Sequence, residues 1–168
     1  SVDGASTKGI PISKIRGSSV AQQVWNFLKD NKFNDYGAAG IMGNMYKESG
    51  LQPNNLQNTY NSKFGLSDEE YTKQVDNGTY KNFSTDKGGY GLVQWTPSSR
   101  KSRLYKLAKE RNKSVSDVGT QLDLMLKEIT EYGLLGGLQY AKSVQDASDI
   151  FLTKFEKPAN AESQKAAR

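Results

Sequence analysis

Between Asn34 and Gly50 the chain places glycines at positions 37, 40 and 43 of a segment whose other residues, Ala38, Ala39, Ile41, Met42 and Met45, read as helix. Each glycine costs a helix about 1 kcal/mol relative to alanine, so three at every third position belong where other elements pack closely. The segment is therefore expected to be a central, buried helix that starts at Asn34 or Asp35 and is stopped by Gly50. At about 100° per residue, Ile41, Met45 and Glu48 share one face, so Glu48 extends an apolar stripe at the helix end. That is an unusual place for a charge.

The neighbouring segments predict more helix. Ser18 or Ser19 caps a helix with Val20, Val24, Phe27 and Leu28 on one stripe, ending around Asp30 and Asn31. Residues 51–95 lack helical periodicity and are rich in Asn, Gly, Thr and Tyr, which reads as loops plus a short β-hairpin or small sheet. Within them, Ser67-Asp68-Glu69-Glu70 opens one or two helical turns through Tyr71 and Val75.

After Pro97, Ser99 is expected to cap a helix with Leu104, Leu107 and Ala108 inward, and with Lys101, Arg103, Lys106, Lys109 and Arg111 outward as a solvated basic face. Ser116 begins another, with Val118, Leu122, Met125, Leu126 and Ile129 inward, broken by Gly133, Gly136 and Gly137. Ser143 or Asp146 opens a last helix through Ile150, Phe151 and Phe155 that Pro158 ends. Residues 1–17 read as a linker or loosely docked arm, and residues 18–168 as one domain of α+β class, mostly helical. A start at Ser1 without Met fits an excised part of a longer protein.

The chain contains neither Cys nor His. This removes Ser-His-Asp and Cys-His relays, thiolate nucleophiles and His/Cys zinc sites together, and leaves carboxylate chemistry. No metal or cofactor is expected. A net charge of +5 favours approach to polyanions. The basic residues are scattered and no zinc-finger, RNP or basic-zipper pattern occurs, so no nucleic-acid partner is expected. No apolar run approaches the roughly 18 residues of a membrane span, and no signal-peptide pattern opens the chain. Hydrophobic residues make up only 35%, yet two Trp, nine Tyr and six Phe can fill a core.

Two segments carry chemistry. Met45-Tyr46-Lys47-Glu48-Ser49-Gly50 puts a Glu at the C-terminal end of a buried helix. A general acid for glycosidic cleavage must hold its proton near neutral pH, which apolar surroundings and a helix C-terminus both favour. The bland alternative is an exposed Glu at a fraying end. Gly88-Gly89-Tyr90-Gly91-Leu92-Val93-Gln94-Trp95-Thr96-Pro97 combines glycines, which let the backbone approach a ligand, with Tyr, Gln and Thr, which can bond sugar hydroxyl and acetamido groups. Its bland alternative is a strand and turn with a core Trp.

Taken together, the two segments resemble the lysozyme superfamily shared by goose-type lysozymes and soluble lytic transglycosylases, where a helix-terminal Glu faces a small sheet bearing a G-x-x-Q motif. Asn44 to Ser49, Leu56-Gln57-Asn58, Asp76-Asn77-Gly78, Gly89 to Thr96 and Phe155-Glu156-Lys157-Pro158-Ala159-Asn160 resemble more closely the tail-tip lysozyme domains of phages and related elements of Gram-positive bacteria. The resemblance runs from about Val20 to Asn160. It implies a lysozyme-like fold with a central buried helix and a small β-insertion. It makes Glu48 the general acid, and Tyr90, Gln94 and Thr96 cleft-lining residues that hold an N-acetylated sugar, with no metal or cofactor.

The implied activity is muramidase cleavage of peptidoglycan glycan strands, by a module of a larger tail or cell-wall protein at the virion tail or the cell-wall face. Lytic transglycosylase activity, or a wall-binding module without catalysis, remain alternatives. Glu156 reads as structural, paired with Arg or Lys. A second carboxylate could come from Asp68, Glu69, Glu70, Asp76 or Asp86. Asp86, directly before the Gly-rich strand, is the favoured candidate, and Asp76 reads as a turn residue. Without one, the substrate's own acetamido group or a hydroxyl would serve.

Overall fold

The computed structural model describes residues 6–156. Among them are eight α-helices and a closing π-helical turn, arranged as two compact units: residues 6–14 with 48–124, and residues 15–47 with 125–156. The chain passes from one unit to the other after Lys14, within α2 (Asp35–Ser49) and again within α6 (Val118–Glu131). No helix among the described residues is long and apolar enough to cross a membrane.

In the unit formed by residues 15–47 and 125–156, the hydroxyl of Ser19 accepts the Gln22 N–H at 3.2 Å and starts α1 (Val20–Asp30). Its predicted stripe buries Val24, Phe27 and Leu28. α2 begins where Asn34 Oδ1 accepts the Gly37 N–H at 2.8 Å, and it buries Ala38, Ile41 and Met45 completely. Two of its three glycines are there for close packing, as the sequence predicts. A Cβ on Gly37 would lie 2.0 Å from the Leu138 carbonyl, and one on Gly40 2.6 Å from Ala147 Cβ, whereas Gly43 faces open space. Gly136 and Gly137, expected as breakers, lie inside the short α7 (Leu135–Gln139). Ser143 caps α8 (Val144–Ile150), and the chain continues through a π-helical turn (Phe151–Phe155) whose two phenylalanines stack at 4.5 Å. The predicted stop at Pro158 lies outside the described residues.

In the unit formed by residues 6–14 and 48–124, α4 (Asp68–Asn77) opens on the predicted capping box, Ser67 and Glu70 each bonding the other's backbone N–H. α3 (Asn58–Phe64) was not expected. Its start at Gln57 makes no side-chain cap bond, and its polar sequence buries no residue. The core gathers Leu56, Tyr71, Val75, Phe83, Tyr90, Leu92, Trp95, Leu104, Leu107 and Leu122. Phe64, Tyr71, Phe83 and Tyr90 form a ring cluster with centroid spacings of 5.4–6.3 Å.

Two expectations are corrected here. The α+β reading with a β-hairpin or sheet gives way to a helical fold with only two isolated antiparallel bridges among the described residues, Leu56 with Tyr90 and Tyr90 with Trp95. After Tyr90, Gly91 (φ +83°) and Gln94 (φ +53°) adopt left-handed backbone and curl the chain through residues 91–94, so pairing is one residue long. Beyond Thr96, Pro97 has no N–H to donate and the chain enters α5 (Ser98–Glu110).

Of the basic residues expected on a solvated face, Lys106 and Lys109 are exposed, but Lys101 and Arg103 are not. Lys101 is 0% and Arg103 4% exposed; each is held by a hydrogen-bond partner, described below for Lys101. Arg103 Nε donates to the Ser6 carbonyl at 2.7 Å, and just beyond the helix Arg111 pairs with Asp123 at 2.8 Å and reaches the Pro11 carbonyl at 3.1 Å. With the Ser13 N–H bonded to Asp123 at 3.1 Å, these contacts dock residues 6–14 onto their unit.

Candidate functional site

Glu48 occupies the last turn of α2 and is half-buried. The helix ends there because Gly50 (φ +64°) and Leu51 (φ +60°) take up left-handed backbone in succession and turn the chain away. The next residue after Glu48, Ser49, is buried, and its hydroxyl donates to the Leu92 carbonyl at 2.9 Å. That bond sets the two segments singled out in the sequence against each other: the Glu-Ser-Gly helix end and the Gly-rich loop.

The loop is fixed by backbone and side chain together. The Gln57 N–H donates to Gly89 O at 2.8 Å and the Gly91 N–H to Asn55 O at 2.9 Å, while Tyr90 and Trp95 exchange both backbone bonds at 2.9–3.0 Å. Gln94 turns its amide back into this frame, Nε2 lying 2.9 Å from Asn55 O and 3.0 Å from Gly91 O. Thr96 Oγ1 donates to Gln94 O at 2.9 Å. A Cβ on Gly89 would stand 2.8 Å from Gln94 Oε1 and 3.2 Å from Thr96 Oγ1, and Gly89 N–H bonds Gln57 Oε1 at 3.1 Å. Gln57, Gln94 and Thr96 therefore assemble a polar face over a bare stretch of backbone, with Gln94 and Thr96 half-buried and Gln57 exposed. Such a face offers amide and hydroxyl groups to a ligand rich in the same groups.

Tyr90 lies elsewhere. Its side chain is fully buried, its hydroxyl 2.6 Å from Thr72 Oγ1, and burial pushes that hydroxyl well above the usual tyrosine range. It presents its backbone, not its ring, to the loop.

Asp86 is also inside, its side chain 3% exposed. Oδ1 accepts from Lys101 Nζ at 2.8 Å and the Gly88 N–H at 2.9 Å; Oδ2 accepts from the hydroxyls of Tyr71 at 2.6 Å and Tyr80 at 2.7 Å. Lys101 Nζ in turn donates to the Gly88 carbonyl at 2.6 Å and lies 4.3 Å from the Phe83 ring centroid. Burial lowers the Lys101 pKa against the pull of Asp86, and burial together with Asp86 pushes the Tyr71 hydroxyl up. Both polar groups of Gly88, the entry to the Gly-rich loop, are thereby held by one buried ion pair.

The other acidic candidates are engaged as well, apart from Glu69. Asp68 Oδ1 accepts from the Leu56 N–H and Asn61 Nδ2, Glu70 belongs to the capping box, and Asp76 accepts from Ser114 Oγ and the Val115 N–H. Glu69 is exposed and, with Lys73, Asp76 and Asn54, lines an open groove of about 560 Å³ along α4.

Ser49, Lys101 and Gln121, which accepts the Leu92 N–H, did not stand out in the sequence. A signal existed for two of them. Lys101 precedes Leu104 and Ala108 by three and seven positions, and Gln121 precedes Leu124 and Met125 by three and four, so each sits on the apolar stripe of its helix.

A family model described as phage tail lysozyme matches residues 19–168. Morphogenesis protein 1 of Bacillus phage B103 is 29% identical over 150 residues, covering 83% of this chain and 34% of that protein. The chain thus spans about a third of that relative's length. No solved structure matches.

Proposed function

The chain belongs to the phage tail lysozyme family, and on that premise we propose that it is a muramidase that cuts the β-1,4 bond between N-acetylmuramic acid and N-acetylglucosamine in peptidoglycan. Glu48 protonates the glycosidic oxygen as the bond breaks; as carboxylate it then activates the incoming water. Gln94 and Thr96 hold the N-acetylated sugar next to it. The observation that carries this reading is the Ser49–Leu92 hydrogen bond, which ties the residue after Glu48 to the loop that bears Gln94.

Tyr90 and Asp86 receive supporting roles. What favours this for Tyr90 is its buried ring, and for Asp86 its four hydrogen-bond partners, which leave the carboxylate facing the core. Asp86 anchors the loop instead of serving as a second catalytic carboxylate, and the oxocarbenium-like state is then met by the substrate's own acetamido group or by a water on Glu48. Attack by the muramoyl hydroxyl in place of water would give an anhydro product, the lytic transglycosylase outcome.

The domain acts as the wall-cutting module of a tail protein, and its charge of +5 aids contact with an anionic wall. Mass analysis of muropeptides released from purified walls tests the reaction. Products one water heavier than the uncut bond identify hydrolysis, and anhydro products identify transglycosylation. Walls that bind the protein but release no soluble fragments would contradict both and leave a binding module.

A further inference from the structure

We propose that Gln121 is a positioning residue that sets the distance between Glu48 and the sugar-holding loop. The inference rests on the muramidase reading for its catalytic consequence, and on geometry alone for the rest.

Gln121 lies in the first turn of α6 and is 0% exposed. Its carboxamide makes three hydrogen bonds. Nε2 donates to the Pro53 carbonyl and to the Val115 carbonyl, each at 2.8 Å, and Oε1 accepts the Leu92 N–H at 2.9 Å. Both donors are spent, each on a backbone group that has no regular secondary structure to satisfy it. Pro53 belongs to the segment that leaves the Glu48 helix end, and Leu92 to the Gly-rich loop. One amide therefore fastens the two sides of the site to each other.

The contact is also sterically fitted. A Cβ on Gly91 would come within 2.9 Å of both Nε2 and Oε1, so the amide lies directly against the bare Gly91 backbone, whose φ of +83° also favours glycine. From the other direction, Ser49 Oγ holds the Leu92 carbonyl. Leu92 is thus held at its N–H by Gln121 and at its C=O by the residue next to Glu48. Gln94 makes the corresponding stitch one step along, from the loop to the Asn55 carbonyl. If Gln121 is lost, the Gln94 stitch remains and sugar can still be held, but Leu92 keeps only its Ser49 anchor and the loop is held less firmly relative to the acid.

The prediction is a split between binding and turnover. A misplacement of about 1 Å between acid and scissile oxygen costs on the order of 100-fold in rate while leaving ground-state contacts largely intact. In Gln121→Leu, assayed on soluble glycan fragments well below its unfolding temperature, kcat falls by roughly 10- to 100-fold and KM moves by less than about 3-fold. Gln121→Glu keeps an acceptor for the Leu92 N–H but loses both amide donors, and it shows the same split if the leucine variant does not fold.

Parental kcat and KM in a folded variant would overturn the proposal. So would a loss of rate that only tracks the folded fraction. If the parent chain releases no muropeptides at all, the muramidase reading fails, and the positional claim is then read by nitrogen-edited NMR. Substitution of Gln121 must shift the Leu92 and Ser49 amide signals while the Gln94 side-chain amide, still bonded to Asn55, keeps its own; an unmoved Ser49 signal sinks the claim.

Discussion

An ammonium taken fully out of water costs several kcal/mol unless a counter-charge and good hydrogen bonds replace its solvation. Lys101 has both, in Asp86 and the Gly88 carbonyl, and it sits beside the Phe83 ring. Removing one partner strands the other. Lys101→Met should therefore lower unfolding stability by about 3 kcal/mol or more in urea titrations, and adding Asp86→Asn should return part of that loss by neutralising the stranded carboxylate. If the double variant is no more stable than the single one, the pair does not act as a charge pair. Glu48 stands in contrast, half-buried at a helix end.

Helix α2 turns its glycines to two uses, and substitution separates them. Gly40→Ala drives a Cβ to 2.6 Å from Ala147 and to 2.9 Å from backbone atoms of Val144 and Ser148, so it should destabilise measurably. Gly43→Ala meets nothing within 4 Å and should gain up to about 1 kcal/mol from helix propensity alone. Equal effects in thermal unfolding would refute the packing account. The buried helix, its end at Gly50 and the capping box on Ser67 were legible because each is a local rule written in adjacent residues. The curl that replaces the expected hairpin was not, because the left-handed backbone at Gln94 goes with bonds to Asn55, far away in sequence. Lys101 was misplaced outward because charge is a weak guide once a buried carboxylate 15 residues earlier awaits it. Of the candidate site, the Glu-Ser-Gly helix end and the Gly-rich loop could be singled out in advance as segments, but the burial of Tyr90 and Asp86 could not, because no motif encodes it.

The molecule as a whole carries a pH signature from its buried phenols. Tyr71 and Tyr90 have pKa values raised above their ordinary value of 10.0, chiefly by burial. Below pH 10 both states keep these protons and stability is full; above it the unfolded chain releases protons that the folded chain retains, so stability falls. Lys101 works the other way, its lowered pKa adding stability as pH rises, but that gain ends near its ordinary value of 10.5. Melting temperature should thus drop between pH 9 and 11, with tyrosinate absorbance appearing in the same step. Ionisation of all the tyrosines near pH 10 with the fold intact would contradict it.

The central proposal is that Glu48 is the acid that breaks the glycan strand, and it draws its support from membership in the phage tail lysozyme family and from the joining of Glu48's helix end to the Gly-rich loop. Glu48→Gln tests it most directly, with muropeptide release from purified walls measured beside the parent chain. The account predicts that release falls by at least about 100-fold while melting temperature and sedimentation with walls stay unchanged. Release at the parental rate by the folded variant would show that the catalytic acid lies elsewhere.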